Sequence, residues 1–417
     1  MSKIIASTEE LNNGKAHYVG FHDICPWNQE NQLLAVHQAD KDDVKDRTKN
    51  DYISIAIWNP KSKEINIIDK TNCWNWQQGS RLQWIPSSDK LIFNKRKGNQ
   101  AVAQIYSTKD AASEKTIDWP IYELHPNGKK AISYSFARLG ELWKGYGYAG
   151  LEAEPDQTEI APDKNGIFEI DLENNERKLL ISLKQTFNLN RNARFDAFKR
   201  FFTHCAYNPS GSKFCFFERF HTSEGALYSR FFVANSDGSN LKLVSEGKQS
   251  HFDWCDDDHL LIWSRPSKSL MNVAHKMGVL SKPPFKQVIK IIRSLSPSLK
   301  SKVTNEHYRI IDVTNKELDQ AVAKEIVKED GHPMFTQDRS CFVNDTYPNS
   351  EGKQELMLIK MKDHSKESLA WFDVPKKFQD NDLKCDLHPR WDRKDAQVCI
   401  DSSHSGKRQV YIIEADS

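Results

Sequence analysis

Four histidines occupy matching places in a repeating pattern. His204 lies seven residues before Gly211, His251 seven before Asp258, His332 six before Asp338 and His388 seven before Asp395, and each of these turn residues leads into an apolar run. With only 14 histidines in 417 residues, chance is a poor account of that alignment. Imidazoles held at one level can bind a divalent cation or take up a proton. Cys385 precedes His388 by three residues in KCDLHPRW, a spacing at which thiolate and imidazole can reach one ion. His251, His332, Cys385 and His388, drawn from neighbouring repeats, would form a closed tetrahedral site for Zn2+, because Mg2+ and Ca2+ want oxygen ligands. The alternative is a buried thiol beside unmetallated histidines.

Seven to ten residues past each turn stand Arg96, Arg138, Arg219, Arg265, Tyr347 and His404. If the chain doubles back after the turn, these side chains return to the level of the histidines. Arg219 and His204 then belong to the same repeat, and Arg230 follows on the same side after FHTSEGALYS. Such a ring suits an anionic substrate, since guanidinium grips carboxylate with two parallel bonds. Residues 143–150, WKGYGYAG, offer Tyr146 and Tyr148 to stack on a sugar or donate a phenolic proton, or else form an ordinary tight loop. GFHDICPWN places His22 and Asp23 near the same rim, although His22 is nine residues before Asn31 and so out of register.

The elements that must carry these residues are strands. One unit, a His or aromatic start, a polar turn and an alternating apolar run, recurs from Gly20, Leu82, Leu124, His204, His251, His332 and Leu387. Each copy precedes a strand–turn–strand unit such as RFFVANSDGSNLKLV. Seven such pairs of about 60 residues predict an all-β, seven-bladed β-propeller spanning 1–417 as a single domain. A pair of β-sandwiches would not give this ordered alternation. The last unit, RQVYIIEAD, is cut short, and the N-terminal KIIAST is expected to supply its missing strand and remove an open edge. In such a ring the first strand of each blade lines the axis.

A net charge of +2 gives no global drive toward nucleic acid, and none is expected as a partner. No run reaches the roughly 18 apolar residues of a membrane span, and the start lacks a basic stretch followed by an apolar one. The expectation is a soluble, cytoplasmic protein. The eight cysteines form no CxxC pair, as expected of thiols buried in a reducing compartment. One segment lies outside the repeat. Residues 268–306 form an insertion with eight Lys or Arg and a single acid, and within it 284–296 reads as a basic amphipathic helix. Such a helix could hold the protein peripherally on a membrane or on an acidic protein partner, or fold back on the flank.

SHFDW, GHPMFTQD, NDTYP and DLHPRWDRKDAQVCIDSSHSGKRQVY resemble the seven-bladed propeller polysaccharide lyases, the oligogalacturonide lyases and more distantly the ulvan lyases. The resemblance implies a metal held by inner-blade histidines. A glutamine stands in the oligogalacturonide lyases where this chain has Cys385, and some ulvan lyases are similar to it in having a cysteine, which favours Zn2+ over Mn2+. It also implies β-elimination on an anionic, uronic-acid-containing oligosaccharide. His204 would be the base, Arg219 and Arg138, with Arg230, would neutralise the carboxylate, and Tyr148 or Tyr146 would be the acid. His22, Tyr347 and His404 would contact substrate. The rival expectation is a non-catalytic propeller that binds glycans or proteins during envelope polysaccharide assembly.

Overall fold

The computed structural model describes residues 3–415 except 224, 267–268, 278–286, 288–290, 293–298, 300–302, 315–318 and 380–381. Seven antiparallel four-stranded sheets follow one another in chain order, so the architecture is the seven-bladed propeller expected. Six blades are contiguous, over 16–71, 83–117, 123–182, 201–247, 249–322 and 334–373. The seventh joins Arg390–Trp391, Gln397–Ser402 and Gln409–Glu414 to the N-terminal strand Ile4–Ser7.

Burial explains the strand sequences. Middle strands are covered on both faces by neighbouring blades, so KFCFFERFH (Lys213–His221) is buried almost throughout. Outer strands face solvent and become largely polar, as in Glu64–Thr71. The core is therefore divided into interblade clusters. Between blades 6 and 7, for example, Val343, Leu356 and Leu358 pack on Trp391, Ile400 and Tyr411.

The first strand of a blade runs away from one face and the second returns to it. The connections between second and third strands, and those between blades, therefore gather on the face where first strands begin. Two of these connections are long. Residues 134–165 of blade 3 contain the helix Phe136–Leu142, and blade 5 carries the insertion after His259–Ser264, of which the helix Leu270–Lys276 is described. The sequence pattern flagged the second as an insertion but not the first. The basic helix expected over 284–296 lies almost wholly outside the described residues. No described helix is long and apolar enough to cross a membrane.

Ring closure is antiparallel, pairing Ile4 with Ile413, Ala6 with Ile412 and Ser7 with Tyr411. The seam is reinforced by the Thr8 hydroxyl, which donates to Gln409 Oε1 at 2.7 Å and accepts from the Val410 amide at 2.9 Å. Deleting residues 1–7 should turn Gln409–Glu414 into an open edge, lowering Tm by several degrees and promoting self-association. Differential scanning fluorimetry and light scattering check this, and an unchanged Tm with no added association would contradict it.

Candidate active site

Two of the four aligned histidines come from β-bulges and two from the segments that lead into first strands. The Phe201–Tyr207 strand shifts register between Thr203 and Ala206, and His204 sits in that bulge at φ +53°. A second shift between Gln249 and Phe252 carries His251. His332 and His388 each stand two residues ahead of a two-residue first strand, Met334–Phe335 or Arg390–Trp391. His388 is also left-handed, at φ +44°. That backbone costs about 1 kcal/mol or more for a side chain with a Cβ. It is held in place because the His388 amide donates to Asp345 Oδ2 at 3.1 Å.

The rings are aimed by their other nitrogen. Nδ1 donates to the Gly20 carbonyl from His388 (2.7 Å) and to the Pro333 carbonyl from His22 (2.9 Å). Nδ1 of His332 meets Asp345 at 2.8 Å, and Nδ1 of His251 meets Asp330 at 3.1 Å. A carbonyl only accepts, so Nδ1 carries the proton and Nε2 keeps its lone pair, the arrangement seen when imidazole binds a metal. The cluster is tight, with ring centroids 4.1 Å apart for His251 and His332, 4.3 Å for His332 and His388, and 5.4 Å for His22 and His332. Burial, followed by repulsion from neighbouring imidazoles, holds His22, His332 and His388 well below the usual 6.5, so they are neutral at pH 7.

The fourth ligand expected from the sequence is corrected. Cys385 is buried in an apolar cluster with Tyr18, Trp76 and Leu383, and burial pushes its thiol up to about 12. Asp386, the next residue, stands there instead. Ligand atoms of His332, Asp386 and His388 all lie within 4.8 Å of one another. His388 Nε2 and Asp386 Oδ1 are buried without a hydrogen-bond partner, while Asp386 Oδ2 pairs with Lys384 at 3.2 Å. Two orphaned polar atoms of the right chemistry in one cluster are what a cation would satisfy. The donors are nitrogen and carboxylate oxygen, a set that fits Mn2+ as well as Zn2+.

Beside this cluster Arg219 is 5% exposed, and its Nε lacks a partner. Its guanidinium lies 4.2 Å from the Phe217 ring centroid and 5.2 Å from that of Trp143, and no described carboxylate is in ion-pair contact with it. Burial lowers its pKa only to about 10, so it stays charged. His204 hydrogen-bonds through Nδ1 to the Thr203 hydroxyl. Burial and then the Arg219 charge hold this imidazole neutral. Tyr146 completes the group, its ring centroid 5.5 Å from that of His204 and 4.0 Å from that of Trp143. Its loop is anchored where Asn75 donates to the Tyr146 carbonyl and Arg96 to those of Ala149 and Gly150. Gly147 is required there, since a Cβ would lie 2.1 Å from Gly140 Cα.

A channel cavity of about 570 Å³ contacts His22, Tyr146, His204, Arg219, His251 and Tyr347. Above it a mouth of about 1090 Å³ shares Trp143, Tyr146 and Tyr347 and contacts His332 and Asp386. Other expected site residues lie elsewhere. Arg138 is buried in its helix and donates to backbone carbonyls, including those of Arg200 and Glu159, so it braces the blade 3 insertion. Arg230 is committed to Glu218 at 3.1 Å and to the Thr186 carbonyl, on the far side of its strand. Tyr148 borders the mouth, but it is buried there, its ring stacked on Phe136 and its hydroxyl accepting from Asn94. His404 packs between Phe372 of blade 6 and Tyr411 of its own blade, away from the channel lining. Arg265 pairs with Glu306.

Sequence reasoning missed Asp330, Asp345 and Asp386, and the buried Arg81, which grips Asp23 through both nitrogens at 3.0 Å. Acids two residues from an aligned histidine, as in EDGHP and CDLHP, were the available signal.

A seven-bladed propeller with a histidine-rich, partly cationic central channel is thus the class defined by fold and site. No protein-family model and no curated protein sequence matches the chain. Among solved structures, an oligogalacturonate lyase in complex with manganese is similar at TM-score 0.62 and 14% identity, over 97% of this chain and 91% of that one. An oligogalacturonate lyase from Vibrio parahaemolyticus is similar at 0.59 and 13% identity, over 96% and 91%. An acylaminoacyl peptidase in complex with Z-Gly-Gly-Phe-chloromethyl ketone follows at 0.51 and 11%, over 98% of this chain and 53% of that one. The resemblance to the oligogalacturonate lyases read from the sequence therefore holds in the fold.

Replacing Arg230 by Ala should destabilise the protein by about 3 kcal/mol, because it removes one of two guanidinium partners from the buried Glu218 carboxylate. Urea denaturation checks this, and a change below about 1 kcal/mol would mean that the pair is not structural.

Proposed function

We propose that this protein is a lyase that cleaves a uronic-acid-containing oligosaccharide by β-elimination. The observation that carries the reading is the buried guanidinium of Arg219, charged and without a carboxylate partner among the described residues, next to the neutral imidazole of His204 in one channel. A buried unpaired cation is costly unless a ligand anion completes it. The likeness in fold to the oligogalacturonate lyases supports a sugar carboxylate as that anion.

The reaction's difficulty is the weak acidity of the proton beside the uronate carboxylate. Arg219 binds the carboxylate and offsets the charge that spreads onto it as that proton leaves. His204, neutral, takes the proton. The electron pair forms the C4–C5 double bond, the C4–O bond breaks, and Tyr146 gives its phenolic proton to the departing oxygen. Binding of the carboxylate also offsets the Arg219 charge, which raises the basicity of His204 when substrate is present. A divalent cation held by His332, Asp386 and His388, with His251 and His22 beside them, would supply further electrostatic stabilisation of the carboxylate. That donor set supports a divalent cation without selecting zinc.

The decisive experiment follows the ultraviolet absorbance of the unsaturated uronate product on a panel of uronate oligomers. Product formation is expected. Binding without product would instead favour a glycan-binding propeller. His204→Ala should abolish turnover with fold and metal content intact, whereas Arg219→Lys should raise KM more than it lowers kcat. Because burial and Arg219 depress the His204 pKa, kcat/KM should fall only as pH drops through a value below the ordinary 6.5. An acid limb above 6.5, or full activity of His204→Ala, would move the base elsewhere.

Metal content gives an independent reading. By elemental analysis, Asp386→Asn and His388→Ala should lose a bound divalent cation while Cys385→Ser retains it. Loss in Cys385→Ser alone would reverse the ligand assignment.

A further inference from the structure

Asp386 has two claimants. Its Oδ1 is buried without a hydrogen-bond partner in the cluster with His332 and His388, and its Oδ2 is held by the Lys384 ammonium at 3.2 Å. Lys384 is thus a cation that the protein itself supplies at the edge of the cluster. Its backbone is fixed, because the Lys384 carbonyl accepts from Gln77 and from Arg408, each at 3.0 Å. The side chain has more freedom, being 26% exposed where that of Asp386 is 3% exposed. Its ammonium lies 3.5 Å from the centroid of the Tyr347 ring, and Tyr347 borders both channel and mouth. A compact charge on a four-carbon stem can pivot over such a ring face without leaving it.

Four lysines line the channel and mouth among the described residues, and three of them, Lys45, Lys144 and Lys248, are exposed. An exposed, well-hydrated ammonium adds little to the binding of an anion. Lys384 is half-buried and is joined to a member of the histidine–carboxylate cluster. A divalent cation seated among His332, Asp386 and His388 would draw on the same carboxylate. Two cations set close together on one carboxylate repel each other, and the one tethered by a flexible stem gives way. Lys384 would then turn over Tyr347 toward the mouth, where a uronate carboxylate can take the place of Asp386.

We propose that Lys384 exchanges partners, holding Asp386 until a divalent cation takes that carboxylate and holding a ligand carboxylate afterwards, so that the cation and an anionic glycan strengthen each other's binding. The proposal rests on the reading of this channel as a uronate site. Linkage makes the effect mutual: the factor by which the cation tightens the glycan is the factor by which the glycan tightens the cation.

The test uses the full chain, freed of metal by a chelator and carrying His204→Ala to prevent turnover. Mn2+ binding is read by calorimetry and binding of a uronate trisaccharide by tryptophan fluorescence. In this parent Mn2+ should tighten the trisaccharide by about tenfold. Lys384→Met keeps most of the stem and removes the charge, so it should bind Mn2+ alone more tightly and cut the coupling to about threefold or less. The same exchange can be read without metal. Asp386→Asn releases Lys384 and should tighten the trisaccharide in metal-free protein, and adding Lys384→Met should abolish that gain. A gain that survives in the double variant would come from loss of the Asp386 charge alone and overturns the proposal. Where Asp386→Asn does not fold, Lys384→Met decides by itself. Coupling and Mn2+ affinity unchanged in Lys384→Met overturn the proposal and leave the uronate reading standing. If no form binds the trisaccharide, the uronate reading fails and the exchange falls with it.

Discussion

The candidate site depends on fixing Nδ1 of each clustered histidine. Gly20, Pro333, Asp330 and Asp345 each accept from one ring, and those four contacts decide which nitrogen of each imidazole retains a lone pair. The Asp345 carboxylate does more than orient His332. It also accepts from the backbone amides of His332 and His388, tying the lead-in segments of blades 6 and 7 to one group. A buried carboxylate bound in this way resists rotation of either segment, so ring positions in two blades are fixed relative to each other. Without it, His388 would have less to hold its left-handed backbone.

The fold was legible because a propeller repeats its hydrophobic pattern seven times, and each copy supports the reading of the others. Even the strand completed from the far terminus could be inferred, because the seventh copy stopped short. The site was legible only in part. Counting from the turn found His204, His251, His332 and His388, since turn and strand entrance are separated by nearly constant chain length. The same counting placed Arg138 at the mouth, and the hairpin FHTSEGALYS was expected to bring Arg230 to the same side. It failed because direction matters as well as distance. Arg138 lies in a helix that the repeat does not contain, and Arg230 sits on a third strand beside Glu218. Cys385 against Asp386 is a one-residue error, and in extended chain neighbouring side chains point to opposite sides.

Electrostatically, the molecule keeps most of its buried cations occupied. Arg81 has Asp23, Arg200 and Arg230 share Glu218, and Arg390 has Asp401. Against that background the isolation of Arg219 is informative: buried Arg138 and Arg408, which also lack a carboxylate, donate to backbone carbonyls, whereas Arg219 has no acceptor of either kind among the described residues. Blade 3 contributes an aromatic wall. Its insertion brings Trp143 and Tyr146 over a channel lined by blades 1 and 3 to 7, with Tyr146 packed beside His204.

The seam between the first and last strands has a further consequence for how the site comes into being. His22 binds the Pro333 carbonyl, and His388 binds that of Gly20, so blade 1 touches blades 6 and 7 through the histidine cluster itself. These contacts join residues more than 300 positions apart in the chain. During synthesis the first blades can form as they emerge, but the cluster cannot assemble until the last blade has been made and the circle shuts. Assembly of the site and closure of the ring are one event, and a partial chain holds neither.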